Sequence, residues 1–344
     1  MFRVTTWGES HGPAMGAVVD GCPAGLDLSV EEIRRELSRD VPDRRIGTGR
    51  REENAAEILS GIFEGRTIGT PISILIPNGD AKSCRYEPLR QTPRPGHADY
   101  TWRVKYGHVD WRGGSRASGR ECISRVAAGA IARKLLGLAG VSVGSRIVEL
   151  AGMVVEDDKG LEAAVARAIE LANLGESSGG RVRVVVSGLP AGLGEPVFGK
   201  LSAELGAALL GIGAVKSIDI GAGRGHAAMT GSESNDAILV EDGRLTFGSN
   251  TAGGVLGGIS TGMDLVATIS VKPTPSISLP QQSVDLSTGK PKTIEVKGRF
   301  DRNITPRVAV VAESMAALVL ADHMIRSGFI HGSRLELSPL LYKK

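Results

Sequence analysis

Val18-Val-Asp-Gly-Cys-Pro-Ala-Gly-Leu26 returns later in the chain as Val185-Val-Ser-Gly-Leu-Pro-Ala-Gly-Leu193. Each copy reads as a strand that ends in a Pro/Gly turn, and a helical pattern follows each. Strands and turns of this kind also occur without duplication. As a pair they predict a repeated strand–turn–helix unit, and so one pseudo-symmetric domain over residues 1–344 with halves of roughly 1–140 and 141–330. The mixture of alternating and helical segments places the chain in the α+β (mixed α/β) class.

The chain has 344 residues, 41% hydrophobic and 23% charged, as expected of a globular protein. Net charge is only +3 from 41 basic and 38 acidic residues, so no chain-wide polyanion footprint exists. Aromatics at 4% are too few for base-stacking platforms. Cys22, Cys84 and Cys122 are odd in number and widely spaced, which suggests neither a disulfide framework nor a zinc site. No histidine pair has metal-ligand spacing, and His108, His226, His323 and His331 draw no role. No apolar run approaches the ~20 residues of a membrane span. The first residues lack a signal peptide's apolar region, and the expectation is a cytoplasmic enzyme.

Gly8-Glu-Ser10-His11-Gly12 is a glycine loop carrying a histidine. Ser29 and Glu32 have capping-box spacing ahead of a helix through Leu37. Arginines including Arg44 and Arg50 flank a Gly-containing turn, and Ile72–Ile76 reads as a strand. Residues 80–116 show little regular pattern, which in a compact protein marks a functional or disordered connection. Further strands are expected over Ser145–Val155, Arg181–Ser187 and Asp264–Val271, and helices over Leu161–Leu174 and from Val308 to about Ile325. Gly248–Gly262 is a second glycine-rich centre, and residues 282–297 read as a polar loop.

Arg94-Pro-Gly-His97-Ala-Asp99 and Arg112-Gly-Gly-Ser115-Arg116-Ala117-Ser118-Gly-Arg120-Glu121 carry the strongest chemical signal. Ser118 and Glu121 again have capping-box spacing, which predicts a helix starting at Ser118. A helix start with neighbouring glycines and arginines suits a phosphate or carboxylate. A nearby histidine could bring proton chemistry to it. An ordinary Gly/Arg-rich surface loop would read the same way. Lys272-Pro273-Thr274-Pro275-Ser276 offers a cation and hydroxyls after a strand.

Taken together, these motifs resemble the chorismate synthase family. The matching pieces are Gly8–Gly12, Arg94–Tyr100, Lys105-Tyr-Gly107, Arg112-Gly-Gly, Arg116–Glu121, Ser249-Asn250 with Ala252-Gly-Gly254, Lys272–Thr274 and Ala316–His323, in the family's order from about residue 3 to about residue 325. The resemblance implies a β-α-β sandwich that is usually a homotetramer. It implies 1,4-elimination of phosphate from 5-enolpyruvylshikimate-3-phosphate (EPSP) to give chorismate, with reduced FMN required and no net redox change. Whether NADPH reduces the flavin on the protein, or a separate flavin reductase supplies it, stays open.

By the same resemblance, His11 is the proton donor at the departing phosphate, His97 meets the reduced flavin, and Asp301 helps remove the ring proton. Ser10, Arg44, Arg50, Arg94, Ser118, Arg120 and Arg299 fall at substrate positions. Arg116, Ala117, Ser118, Gly257, Lys272 to Ser276 and Arg299 fall at FMN positions. One segment departs: the family usually has Arg-His-Asp-Pro where this chain has Arg299-Phe300-Asp301-Arg302. Two other readings are a flavin reductase or other FMN protein acting on an anionic substrate, and an RNA-binding protein using Arg44–Arg51 and Arg112–Arg120. Near-neutral charge and few aromatics oppose the second.

Overall fold

The structure, a computed structural model, describes residues 1–40, 45–47, 54–79, 83–296 and 300–336. Two antiparallel sheets enclose a layer of helices. The first sheet has the order Arg3–Gly8, Ala14–Asp20, Ile72–Pro77, Glu57–Ile58. Met15, Ala17 and Val19 face the helices with Ile72, Ile74 and Ile76, all fully buried, because alternate residues of a strand share one face. The second sheet has the order Val215–Ile220, Leu265–Val271, Gly180–Ser187, Ser142–Leu150, Met153–Val154. Its inner face is Val182, Val184, Val186, Leu265, Ala267 and Ile269.

Between the sheets, a central helix, Cys122–Leu138, packs along a C-terminal helix, Thr305–Arg326. The central helix lies on strand Ala14–Asp20 and the C-terminal helix on strands Ser142–Leu150 and Gly180–Ser187. A Cβ on Gly129 would fall 2.4 Å from Ser314 Cβ, so glycine sets how closely the two helices cross. Though long and apolar enough to span a bilayer, the C-terminal helix is mostly buried between the sheets. The buried carboxylate of Glu313 on that helix is met by Arg39, Arg133 and Ser145. One network thereby ties three helices to the second sheet, and a charge there is tolerable only because it is paired.

The expected sandwich and its repeated unit are both present. Gly21 and Gly188, at matching places in the two copies, have φ of +78° and +76°. The helices Val30–Arg39 and Leu201–Leu210 follow the respective turns. The larger apolar core among the described residues runs from Phe2 to Ile330 and draws on both sheets, and a smaller one gathers Leu150, Val155, Ala164, Val165 and Ala168 with Ile46.

The Ser29–Glu32 capping box forms. That at Ser118 does not. Ser118 Oγ accepts from Arg120 N and caps a 3₁₀ turn, Gly119–Glu121, and the α-helix begins at Cys122. Glu121 is drawn away instead to Thr6 Oγ1 (3.0 Å) and Arg125 Nε (2.9 Å). Within the irregular stretch lie a 3₁₀ segment, Ser83–Leu89, and a helix, Asp99–Tyr106. The expected polar loop after residue 281 is a hairpin, Gln281–Asp285 with Lys290–Ile294. The strand expected to reach Val155 stops at Leu150 and resumes as Met153–Val154, with Ala151 and Gly152 in left-handed conformations that turn it back.

Candidate active site

The site grows from the edge where the first two strands meet. Asn78, just past strand Ile72–Pro77, donates its amide to the carbonyls of Glu9 (3.0 Å) and Gly12 (2.9 Å) and so fixes the Ser10–His11 loop. Ser10 is fully buried, and its hydroxyl has no hydrogen-bond partner among the described residues. His11 meets the ring of Tyr86 edge to face with centroids 5.1 Å apart. Gly113, Gly114 and Ser115 have φ of +59°, +85° and +49°, a left-handed turn whose first residue lies against the imidazole. A Cβ on Gly113 would sit 2.3 Å from His11 Nε2.

Arg94 is 7% exposed and gripped at both prongs by Asp99, at 2.8 and 2.9 Å. Burial would raise the Asp99 carboxyl, but the Arg94 fork overrides it and holds the group below the usual carboxylate range. Arg112 is likewise paired with Asp110. Arg116 reaches back to the first strand, donating to the Gly8 carbonyl (3.0 Å) and Thr6 Oγ1 (2.5 Å) beside Glu121. Arg120, buried, donates Nη1 to Asn54 Oδ1 (2.7 Å) and Nε to Asn78 Oδ1 (3.3 Å). Arg112, Arg116 and Arg120 of the RNA-binding reading are thus engaged by partners within the chain, while Arg44, Arg50 and Arg51 lie outside the described residues.

The loop Arg94–Asp99 and the segment Lys272–Ser276 interlock. Lys272 Nζ donates to the Gly96 carbonyl at 2.6 Å, and a Cβ on Gly96 would meet Pro275 Cβ at 2.7 Å. His97 Nδ1 lies 3.0 Å from the Pro95 carbonyl, which can only accept, so Nδ1 carries the proton. Nε2 then accepts from Ser276 Oγ at 2.9 Å. Burial, with the charges of Arg94 and Lys272, pushes His97 down to about 4. It is therefore a neutral imidazole at pH 7 and well below it. Thr274 Oγ1 is buried with no hydrogen-bond partner among the described residues. Pro273 continues the same segment, and the Thr274 carbonyl accepts from Ser177 Oγ at 2.6 Å.

Asp301 lies 3.9 Å from Arg307 Nε on the C-terminal helix. Near it is Asp40, which no motif marked. Burial raises its carboxyl to about 6 against the pull of Arg307, with the charge of Asp301 adding to the rise. Arg44, Arg50 and Arg299 lie outside the described residues. Gly257 sits in the turn of the hairpin Val255–Leu256/Ile259–Ser260, and no hydrogen bond joins it to the His11 or His97 loops among the described residues. Ala117 closes the 3₁₀ turn Ser115–Ala117 and donates its N–H to the Gly114 carbonyl.

Sequence reasoning missed Asn54, Asn78, Tyr86, Asp40 and Asp110 as site neighbours. Asp99 and Asp110 were visible as acids close to arginines; the others are brought in from separate elements, and nothing local to them signals it.

A model of the chorismate synthase family matches residues 2–325. The chorismate synthase of Methanosarcina mazei is 51% identical over 351 residues, 96% of each chain. That of Methanothermobacter thermautotrophicus is 51% identical over 357 residues, 96% of this chain and 94% of its own. That of Syntrophobacter fumaroxidans is 52% identical over 340 residues, 94% of this chain and 95% of its own. A crystal structure of chorismate synthase matches with a TM-score of 0.76 at 30% identity, over 97% of this chain and 94% of that one.

Proposed function

The chain belongs to the chorismate synthase family of carbon–oxygen lyases, and from that premise we propose that it eliminates phosphate from EPSP to give chorismate, using reduced FMN. The observation that carries the proposal is the interlock of the Arg94–Asp99 loop with Lys272–Ser276, two segments far apart in sequence whose polar atoms converge.

The residues present fit an anionic substrate and a phosphate-bearing cofactor. Ser10 Oγ and Thr274 Oγ1 are buried hydroxyls lacking partners among the described residues, the kind of group a ligand satisfies. Lys272, Ser276, Arg116 and Ser118 would hold FMN. Ser10, Arg94 and Arg120 would meet the substrate, as would Arg44, Arg50 and Arg299. When bound, reduced FMN supplies electron density to the substrate's allylic system without net oxidation.

In the elimination, the C–O bond to phosphate breaks, a C–H bond is lost from the ring, and a C=C bond forms. His11 gives a proton to the departing phosphate. His97, neutral and fixed as the Nδ1–H tautomer by Pro95, orients the cofactor edge of the site. Asp301 serves the ring proton, with Asp40 and Arg307 beside it setting its local charge.

The exposed apolar side chains of Ile238, Val240, Leu245 and Phe198 support a homotetramer, since such groups are normally covered. The free cysteines fit the cytoplasm, a reducing compartment. The reductant is NADPH acting on the protein, or a separate flavin reductase. An anaerobic assay with EPSP and chemically reduced FMN, with and without NADPH, tests the reading. Phosphate release with the flavin still reduced is expected. No release, or one flavin oxidised per product, would sink it.

A further inference from the structure

We infer that Tyr86 is a positioning residue for His11, an inference that rests on the reading of His11 as the acid at the departing phosphate. Tyr86 belongs to none of the recognised motifs and is carried by the 3₁₀ segment Ser83–Leu89. Its ring plane stands at 81° to the imidazole with centroids 5.1 Å apart. Edge-to-face contact of this kind has a preferred orientation, so the ring sets the plane of the imidazole and not merely its location.

The same ring carries the guanidinium of Arg94, whose Cζ is 5.5 Å from the ring centroid. Arg94 cannot swing away, because both prongs are held by Asp99. A chain of contacts thus runs from a closed ion pair, through Tyr86, to the imidazole. The backbone at Gly113 also lies against the His11 ring, with no Cβ between them. His11 therefore meets both this backbone and the Tyr86 ring. Charged groups nearby are Asp110, which interacts with His11, Arg112 paired with Asp110, and Glu9 on the histidine's own loop, which acts on Arg112.

The test compares Tyr86→Phe with Tyr86→Leu in the full-length holoenzyme. Phe keeps the ring, and its kcat is expected within about twofold of the parent. Leu removes it, and kcat is expected to fall about ten- to a hundredfold with KM little changed, because a misplaced acid slows the step more than it weakens binding. In the His11→Asn background, Tyr86→Leu should add no further loss. NMR of the His11 ring protons should show the aromatic shift in the parent and in Tyr86→Phe but not in Tyr86→Leu. Tyr86→Gln serves as a second ring deletion should Leu compromise folding. The inference is overturned if Tyr86→Leu turns over normally, if Phe falls as far as Leu, or if Leu costs as much without His11. Normal turnover by His11→Asn itself would overturn the acid assignment, and this inference with it, whereas the other outcomes leave the acid assignment standing.

Discussion

Arg302 donates its backbone N–H to the carbonyl oxygen of Ile46 at 2.8 Å. The family pattern has proline at this position, which has no N–H to give. Here the segment after Asp301 is instead tied to the stretch around Ile46. Arg302 Nη1 adds a bond to the Arg45 carbonyl at 3.2 Å, and Asn303 N a second one to Ile46 at 3.1 Å. Arg302→Pro should lower stability by about 0.5–1.5 kcal/mol, the net worth of a lost hydrogen bond. Arg302→Ala, which keeps the N–H, should stay within about 0.5 kcal/mol of the parent. Urea denaturation of both variants checks this, and equal losses would contradict it.

Gly113→Ala should impair catalysis more than stability. Its Cβ would lie 2.3 Å from the His11 ring, and at φ of +59° any side chain is strained. His11 must shift, and turnover should drop by about 10² or more. Single-turnover phosphate release and melting temperature, measured together, decide it. Turnover near normal would show that the imidazole has room to spare.

Arg116→Ala should weaken both cofactor binding and the fold. The guanidinium joins the first strand at Thr6 and Gly8 to the buried Glu121. Its loss should cost roughly 1–3 kcal/mol of stability, as for hydrogen bonds to charged groups. FMN affinity should also fall about tenfold. Flavin titration paired with a denaturation curve separates the effects. An unchanged denaturation midpoint would leave the ligand role alone.

His97 should make the protein acid-sensitive. In the unfolded chain its imidazole takes a proton near the ordinary value of 6.5, whereas the folded protein resists until about 4. Acidification therefore favours unfolding through that window, and above it this residue adds no pH dependence. His97→Gln should lose less stability than the parent between pH 7 and pH 5. Parallel slopes for the two proteins would reject the lowered value. Its turnover should fall by about 10²–10⁴ at any pH if the ring orients the reacting groups.

Much of the fold was legible because it depends on local pattern. The repeated strand–turn–helix copies, the alternation of Val182, Val184 and Val186, and the Ser29–Glu32 cap each need only neighbours along the chain. The Ser118–Glu121 spacing misled because Glu121 had better partners, Thr6, Arg116 and Arg125, drawn partly from another element. Gln281–Ile294 looked like a loop because a polar, exposed hairpin leaves little apolar alternation to read.

The sequence by itself determined which segments are proposed to bear the chemistry, since the glycines, arginines and histidines of Gly8–Gly12, Arg94–Asp99, Arg112–Glu121 and Lys272–Ser276 are local motifs. Only the tertiary structure decided that Lys272 and Ser276 meet Gly96 and His97, that Tyr86 and Gly113 lie against His11, and that His97 is held neutral. Those facts depend on burial and on charges from distant elements. Desolvation and Coulomb interactions act through space, and spacing along the chain does not encode them.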